Sequence, residues 1–342
     1  MTPGQLQDAL SGVSAPRYAV AQVCDWLYRK RVDSISAMSN LSKGIREALD
    51  AGFEPGWTRP VSSVTSVDGT VKYFFEIPSG QCGGESAGVN IVEAVVIPDG
   101  DRRTLCISTQ AGCRMGCRFC MTGRGGWHGN LDAAQILSQI VAIPESELLT
   151  NVVFMGMGEP LDNYDTLSTV LDCLTSDWGF GWSPKRITVS TIGVLPNLKR
   201  LLDEHKCHIA VSLHNPFPEE RESMMPSQKV WPILDTVRLL KQYDFSGQRR
   251  VSFEYTMFAG FNDSRRHADA LLRLLKPLEC RINLIRFHKI PDFPYETSSP
   301  GAIELFKERL CAGGITTTLR SSRGEDIYAA CGLLAGKYNG KI

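Results

Sequence analysis

From about residue 100 onward the chain alternates short β-branched runs with amphipathic helical stretches, and that alternation restricts its fold more than any other feature. The expected strands are 104–109, 151–156, 186–191, 208–214, 250–257, 281–287 and 316–320. Helical patterns fill most of the gaps, as at 131–141 and 268–275. Such a rhythm implies parallel strands joined by crossover helices, an α/β class. Functional side chains are then expected beyond the C-terminal ends of the strands.

The part before residue 100 reads differently. Val20, Val23, Cys24 and Leu27 have helical spacing, as do Ile45, Ala48 and Leu49, and Pro55, Gly56 and Pro60 then punctuate the chain. Residues 71–77 and 92–97 read as strands flanking a Gly-rich turn at 79–84. The expected organisation is a helical accessory domain over 1–60, a β-rich linker over 61–98 and a catalytic domain over 99–342. Apolar residues at 43% and charged residues at 22% allow a sizeable core.

Lys plus Arg equals Asp plus Glu at 37 each, whereas a nucleic-acid binder often carries a basic surplus. Basic runs exist locally: Arg102, Arg103, Arg114, Arg118 and Arg124 crowd one segment, with Arg29-Lys30-Arg31 and Arg249-Arg250 elsewhere. Each alone reads as a solvated face. The first residues lack the basic start and apolar stretch of a signal peptide, and no apolar run approaches the ~20 residues of a membrane span. A soluble, cytoplasmic protein without membrane contact is expected. Eleven cysteines in a reducing compartment point to metal or catalysis rather than structural disulfides.

Three of them form Cys113-x3-Cys117-x2-Cys120 directly after an expected strand. Thiolates are the natural ligands of iron–sulfur clusters, and three can hold a 4Fe–4S cube with one iron left open. A zinc site is the competing reading, with His128 as a candidate fourth ligand. Paired C-x2-C knuckles, usual in structural zinc sites, are absent, which favours the cluster.

The spacing resembles the signature of the radical S-adenosylmethionine (SAM) superfamily. TLCISTQAGCRMGCRFCMTG, NVVFMGMGEPLDN, RITVSTIGVLP, AVSLHNPFPEER and SRGEDIYAACGLLAG together resemble the RlmN/Cfr family of RNA adenosine methyltransferases, in the family's order and over nearly the whole chain. The resemblance implies a radical SAM partial (β/α)6 barrel with an N-terminal helical accessory domain and a short β linker region. It implies a 4Fe–4S cluster on Cys113, Cys117 and Cys120, and SAM used twice per turnover. Gly158, Glu159, Ser190, Ser212, Leu213 and His214 match SAM-contacting positions. His288 stands where many relatives carry Asn, and a His can still hydrogen-bond there.

Cys106 and Cys331 match the family's catalytic pair. The resemblance implies that Cys331 takes a methyl from one SAM as a thiolate. A 5′-deoxyadenosyl radical from a second SAM removes a hydrogen from it, and the resulting carbon radical adds to the electron-poor carbon 2 of adenine. After loss of an electron and the ring proton, Cys106 attacks the Cys331 sulfur, releasing product and leaving a disulfide. Glu93 matches the proposed proton acceptor, although a strand carboxylate is more often solvent-facing. Cys24, Cys173, Cys207, Cys280 and Cys311 read as small buried hydrophobes, and Cys82 has no assignable role.

The implied substrates are an adenosine in the peptidyl transferase centre of 23S rRNA and the adenosine just 3′ of the tRNA anticodon. Arg29, Lys30, Lys43 and Arg46 are the expected backbone contacts of the accessory domain. A flavodoxin- or ferredoxin-type reductant protein and a monomeric state are also expected. Three rivals stand beside this reading: carbon 8 methylation by the sister branch, a non-catalytic zinc-containing RNA-binding protein, and a radical SAM enzyme acting on protein or small molecule. Arg323-Gly324-Glu325-Asp326 looks more like the carbon 2 branch.

Overall fold

The seven expected strands all form, and they lie side by side in parallel. In this computed structural model, which describes residues 1–13, 15–79, 88–247 and 249–336, they are β4 (Arg102–Cys106), β7 (Asn151–Phe154), β8 (Ile187–Thr191), β9 (His208–Ser212), β10 (Val251–Met257), β11 (Arg281–Arg286) and β12 (Thr316–Leu319). Antiparallel β1 (Ser62–Thr65), β2 (Val71–Pro78) and β3 (Val89–Asp99) extend the same sheet beyond β4, giving the order β1-β2-β3-β4-β7-β8-β9-β10-β11-β12. Cys82 and the Gly-rich turn from residue 80 onward lie outside the described residues.

Side chains alternate across each strand. Leu105, Val152, Phe154, Ile187, Val189, Ile209, Phe253, Ile282 and Leu284 face the covering helices and are almost completely buried. The intervening Thr104, Thr188, Ser252 and Thr318 line an inner cavity. Thr104 and Thr318 belong to the first and last parallel strands, so the sheet curls into an open barrel as expected. Several strands stop two or three residues short of expectation, because the backbone leaves the ladder there. His214 adopts φ 54° and Gly158 φ 98°, conformations that no strand continues.

Two features were not expected from the sequence. A small antiparallel ribbon, β5 (Gln110–Gly112) with β6 (Trp127–Asn130), flanks the cysteine loop, and β1 adds a strand at the start of the β-rich linker beyond the two expected there. At the N-terminus, helices Pro3–Ser11, Ala19–Cys24 and Lys43–Asp50 share one continuous core with the barrel. Tyr28 packs edge-on to Trp178 at 5.7 Å. Arg29, one of the expected RNA contacts, is exposed and donates to the carbonyls of Asp177 and Gly179. Lys30 pairs with Asp25, Lys43 with Glu47, and Arg46 donates to Ser36 O. Cys24, Cys173 and Cys207 are buried as expected, but Cys280 is only half-buried and Cys311 is exposed, since it falls on the outer side of helix Pro300–Ala312.

Candidate active site at the C-terminal mouth of the barrel

The cysteine loop is closed at its base by two glycines. Gly112 has φ 73°, and a Cβ there would sit 2.0 Å from Gly126 O, so only glycine permits the approach. Cys113 N donates to that same carbonyl at 2.8 Å. Further along, Cys120 N bonds Cys117 O and Arg118 N bonds Met224 O, fastening the loop to the barrel. The thiols of Cys113, Cys117 and Cys120 consequently line one cavity.

These residues fit an iron–sulfur cluster. Burial pushes the Cys113 thiol up to about 12, Cys117 well above its usual value and Cys120 upward, so thiolates persist there only with a cationic partner. Among the described residues no three His, Cys, Asp or Glu side chains converge closely enough for a single ion. Three thiols lining one cavity suit a polynuclear centre with one iron left open. His128, the candidate zinc ligand, bonds Gly125 O at 3.1 Å and lines a different cavity. A guanidinium stands nearby: Arg221 is completely buried and donates to Leu213 O, Ser212 O and Gln228 Oε1. Burial lowers it to about 10, so it stays a cation at neutral pH and offsets thiolate charge.

The opposite wall holds most of the residues expected to meet SAM. Gly158, Glu159, Ser190, Ser212, His214 and His288 all line the cavity. Glu159 accepts from Leu161 N and Ile192 N, and burial still raises its carboxyl to about 7. His214 Nδ1 accepts from Thr256 N at 3.0 Å, while burial and then Arg221 depress its pKa to about 3. The ring is therefore neutral, with its proton on Nε2 as a donor. His288 Nδ1 lies 3.3 Å from Glu325 Oε1, which ties this wall to the Cys331 segment. Leu213 is not in the wall: it is fully buried behind it. A Cβ on Gly158 would meet Gln110 at 2.6 Å and the residue keeps positive φ. Gly158→Ala is expected to destabilise the chain by about 1–3 kcal/mol, measurable as a shifted urea midpoint with unchanged slope.

Cys331 lines the same cavity as the three loop cysteines. Its segment is held at several points. Gly332 O accepts from Met121 N, one residue past Cys120, and Leu334 O accepts from Thr122 Oγ1. Cys106 ends β4, and burial, then the nearby Cys331, pushes its thiol up to about 12. Both are free thiols. Glu93 is on β3 as expected but is buried and outside the cavity. Its carboxylate pairs with Lys72 at 3.1 Å and accepts from Ala335 N and Gly336 N.

Sequence reasoning missed Arg320 and Glu254, which approach within 3.6 Å of each other at the cavity floor. Arg320 NH1 also contacts Met155 Sδ at 3.4 Å. Cys331 and Cys106 both help to hold this guanidinium protonated. The rule that function gathers past strand ends could have found Arg320, the residue following β12.

Comparison with known proteins agrees with this geometry. Residues 107–272 match the Radical SAM superfamily, and residues 1–54 match the ribosomal RNA large subunit methyltransferase N-terminal domain. The probable dual-specificity RNA methyltransferase RlmN of Parabacteroides distasonis is 51% identical over 339 residues, covering 99% of this chain and 96% of that protein. The chain belongs to the RlmN family. The Pseudomonas putida RlmN is 37% identical over 350 residues, covering 99% of this chain and 90% of that one. A crystal structure of a radical SAM methyltransferase from Sphaerobacter thermophilus superposes with TM-score 0.90 at 36% identity, covering 98% of both chains. The RlmN-type N-terminal match spans the three short helices, and the radical SAM match begins just past β4. No helix among the described residues is long and apolar enough to cross a membrane.

Proposed function

We propose that this chain methylates carbon 2 of adenosine in 23S rRNA and in tRNA, through a methylated Cys331. One observation carries the reading: Cys331 shares a single cavity with the three cysteines of the loop. The RlmN names of relatives at about half identity support the substrate class.

Cys113, Cys117 and Cys120 would hold a 4Fe–4S cluster, and Gly158, Glu159, Ser190, Ser212, His214 and His288 would seat SAM, with Leu213 packing behind the turn. When bound, cluster and SAM supply a methyl donor and, in a second SAM, a carbon radical. Cys331 is the only group of the pair exposed enough to reach both donor and adenine. As a thiolate it takes the methyl group, and it then offers that carbon to the base. Cys106, half-buried at the end of β4, attacks the Cys331 sulfur and frees the product, so a disulfide closes each turnover. Glu93 takes the ring proton once the amides of Ala335 and Gly336 release it. A reductant protein of flavodoxin or ferredoxin type restores the resting state, in a cytoplasmic monomer. Residues 1–60 serve as the accessory RNA-binding domain, 61–98 as linker and 99–342 as catalytic domain.

Nucleoside mass spectrometry of RNA treated with the anaerobically purified enzyme tests the reading. 2-Methyladenosine is expected. 8-Methyladenosine would assign the chain to the sister chemistry, and zinc in place of iron and sulfide would remove the enzymatic reading altogether.

A further inference from the structure

The end of the barrel remote from the cysteines carries a second cavity, of about 600 Å³. Basic side chains gather at its rim because one strand after another starts with one. Arg102 opens β4, His208 opens β9, Arg281 opens β11, and Arg250 immediately precedes β10. Register places His208 and Arg250 next to each other across neighbouring strands, with Arg281 on the strand beyond. Adjacent strands are about 4.8 Å apart, and like charges side by side destabilise a sheet.

The carboxylates at this cavity leave that charge uncompensated. Asp99 pairs with Arg323 at 3.3 Å, and Glu254 is engaged by Arg320 and Asn283. The guanidinium groups of Arg250 and Arg281 have no hydrogen bond or ion pair among the described residues. Cations on the outer helices are mostly paired, as in Lys199 with Asp203 and Arg265 with Asp269. Arg102 donates to Asn151 Oδ1 at the same rim, so Arg250 and Arg281 are the two guanidinium groups of this collar left without a partner among the described residues. His208 registers the field: burial, then Arg250, Lys185 and Arg102, push its pKa down. Hydroxyl groups of Thr188, Ser252 and Thr318 line the interior behind the rim.

We propose that this collar is a phosphate-binding site that grips the sugar–phosphate backbone of the RNA substrate at the end of the barrel away from the reacting base. The guanidinium fork suits phosphate oxygens two at a time. Strand β10 has seven residues, so the collar lies roughly 20 Å from the catalytic mouth, about six phosphates along one strand. RNA on both sides of the flipped adenosine can span that distance. The RNA half of the proposal rests on the function proposed above.

The test uses the full-length, cluster-loaded protein and two probes, a fluorescently labelled tRNA transcript and inorganic phosphate. The variant is Arg250→Gln with Arg281→Gln. Its control is Arg265→Gln with Lys307→Gln, which removes the same charge from outer helices. The collar variant is expected to bind the transcript about tenfold more weakly and to lower the slope of log affinity against log salt by about 1 to 2. Phosphate is expected to raise the melting temperature of the wild type and control but not of the collar variant. Equal slopes and equal phosphate responses in variant and control would overturn the proposal. So would loss of the phosphate response with transcript binding intact, which would leave a small-phosphate site only. Failure of the RNA reading looks different, because the wild type would then ignore the transcript altogether.

Discussion

Replacing Cys106 by Ala is expected to leave the enzyme covalently tied to its RNA. The carbon bridging the Cys331 sulfur and adenine is released only when a second sulfur attacks the first. Cys106 is the thiol that the end of β4 brings close enough to Cys331 for Cys331 to raise its pKa further, after burial. Small thiols from outside match neither its position nor its effective concentration. Turnover should fall about 10³-fold or more, while a protein–RNA adduct accumulates that survives denaturant and collapses on nuclease treatment. Normal turnover without an adduct would remove Cys106 from the pathway.

Cys331→Ala is expected to abolish methyl transfer at an earlier point, by at least ~10⁴-fold, because the other three thiols of the cavity are the ones that would hold the cluster. Ser should not restore it, since an alcohol is almost never ionised at neutral pH whereas a thiol is partly so. The substitution should leave iron content and the visible spectrum unchanged, because Cys331 is not one of the three loop ligands. The two cysteine variants therefore separate cleanly: one stalls with an adduct, and the other never forms one.

The parallel strands were legible because each is a run of apolar and β-branched residues bounded by helical stretches. Their exact ends were not, since strand termination at His214 and near Gly158 depends on backbone conformations imposed by neighbours such as Gln110 and Thr256. The β5–β6 ribbon pairs Gln-Ala-Gly with Trp-His-Gly-Asn, which carries no alternation to detect. The cysteine loop was readable because its three ligands are local in sequence. Arg320 and Glu254, sixty-six positions apart, meet only after the sheet has curled, and nothing in either local segment announces it. Glu93 was placed correctly on its strand, but the hydrogen bonds from Ala335 and Gly336, more than two hundred residues away, were invisible. Arg29 looked like a solvated cation until the loop carrying Asp177 and Gly179 folded against it.

Whether Cys331 carries the methyl group is read by intact-mass analysis of the chain, expressed with SAM available and purified without oxygen. A population heavier by one methylene group is expected, with the added mass on the peptide containing Cys331 and absent from Cys331→Ala. An unmodified Cys331 in protein that carries its full iron and sulfide and still methylates RNA would contradict it.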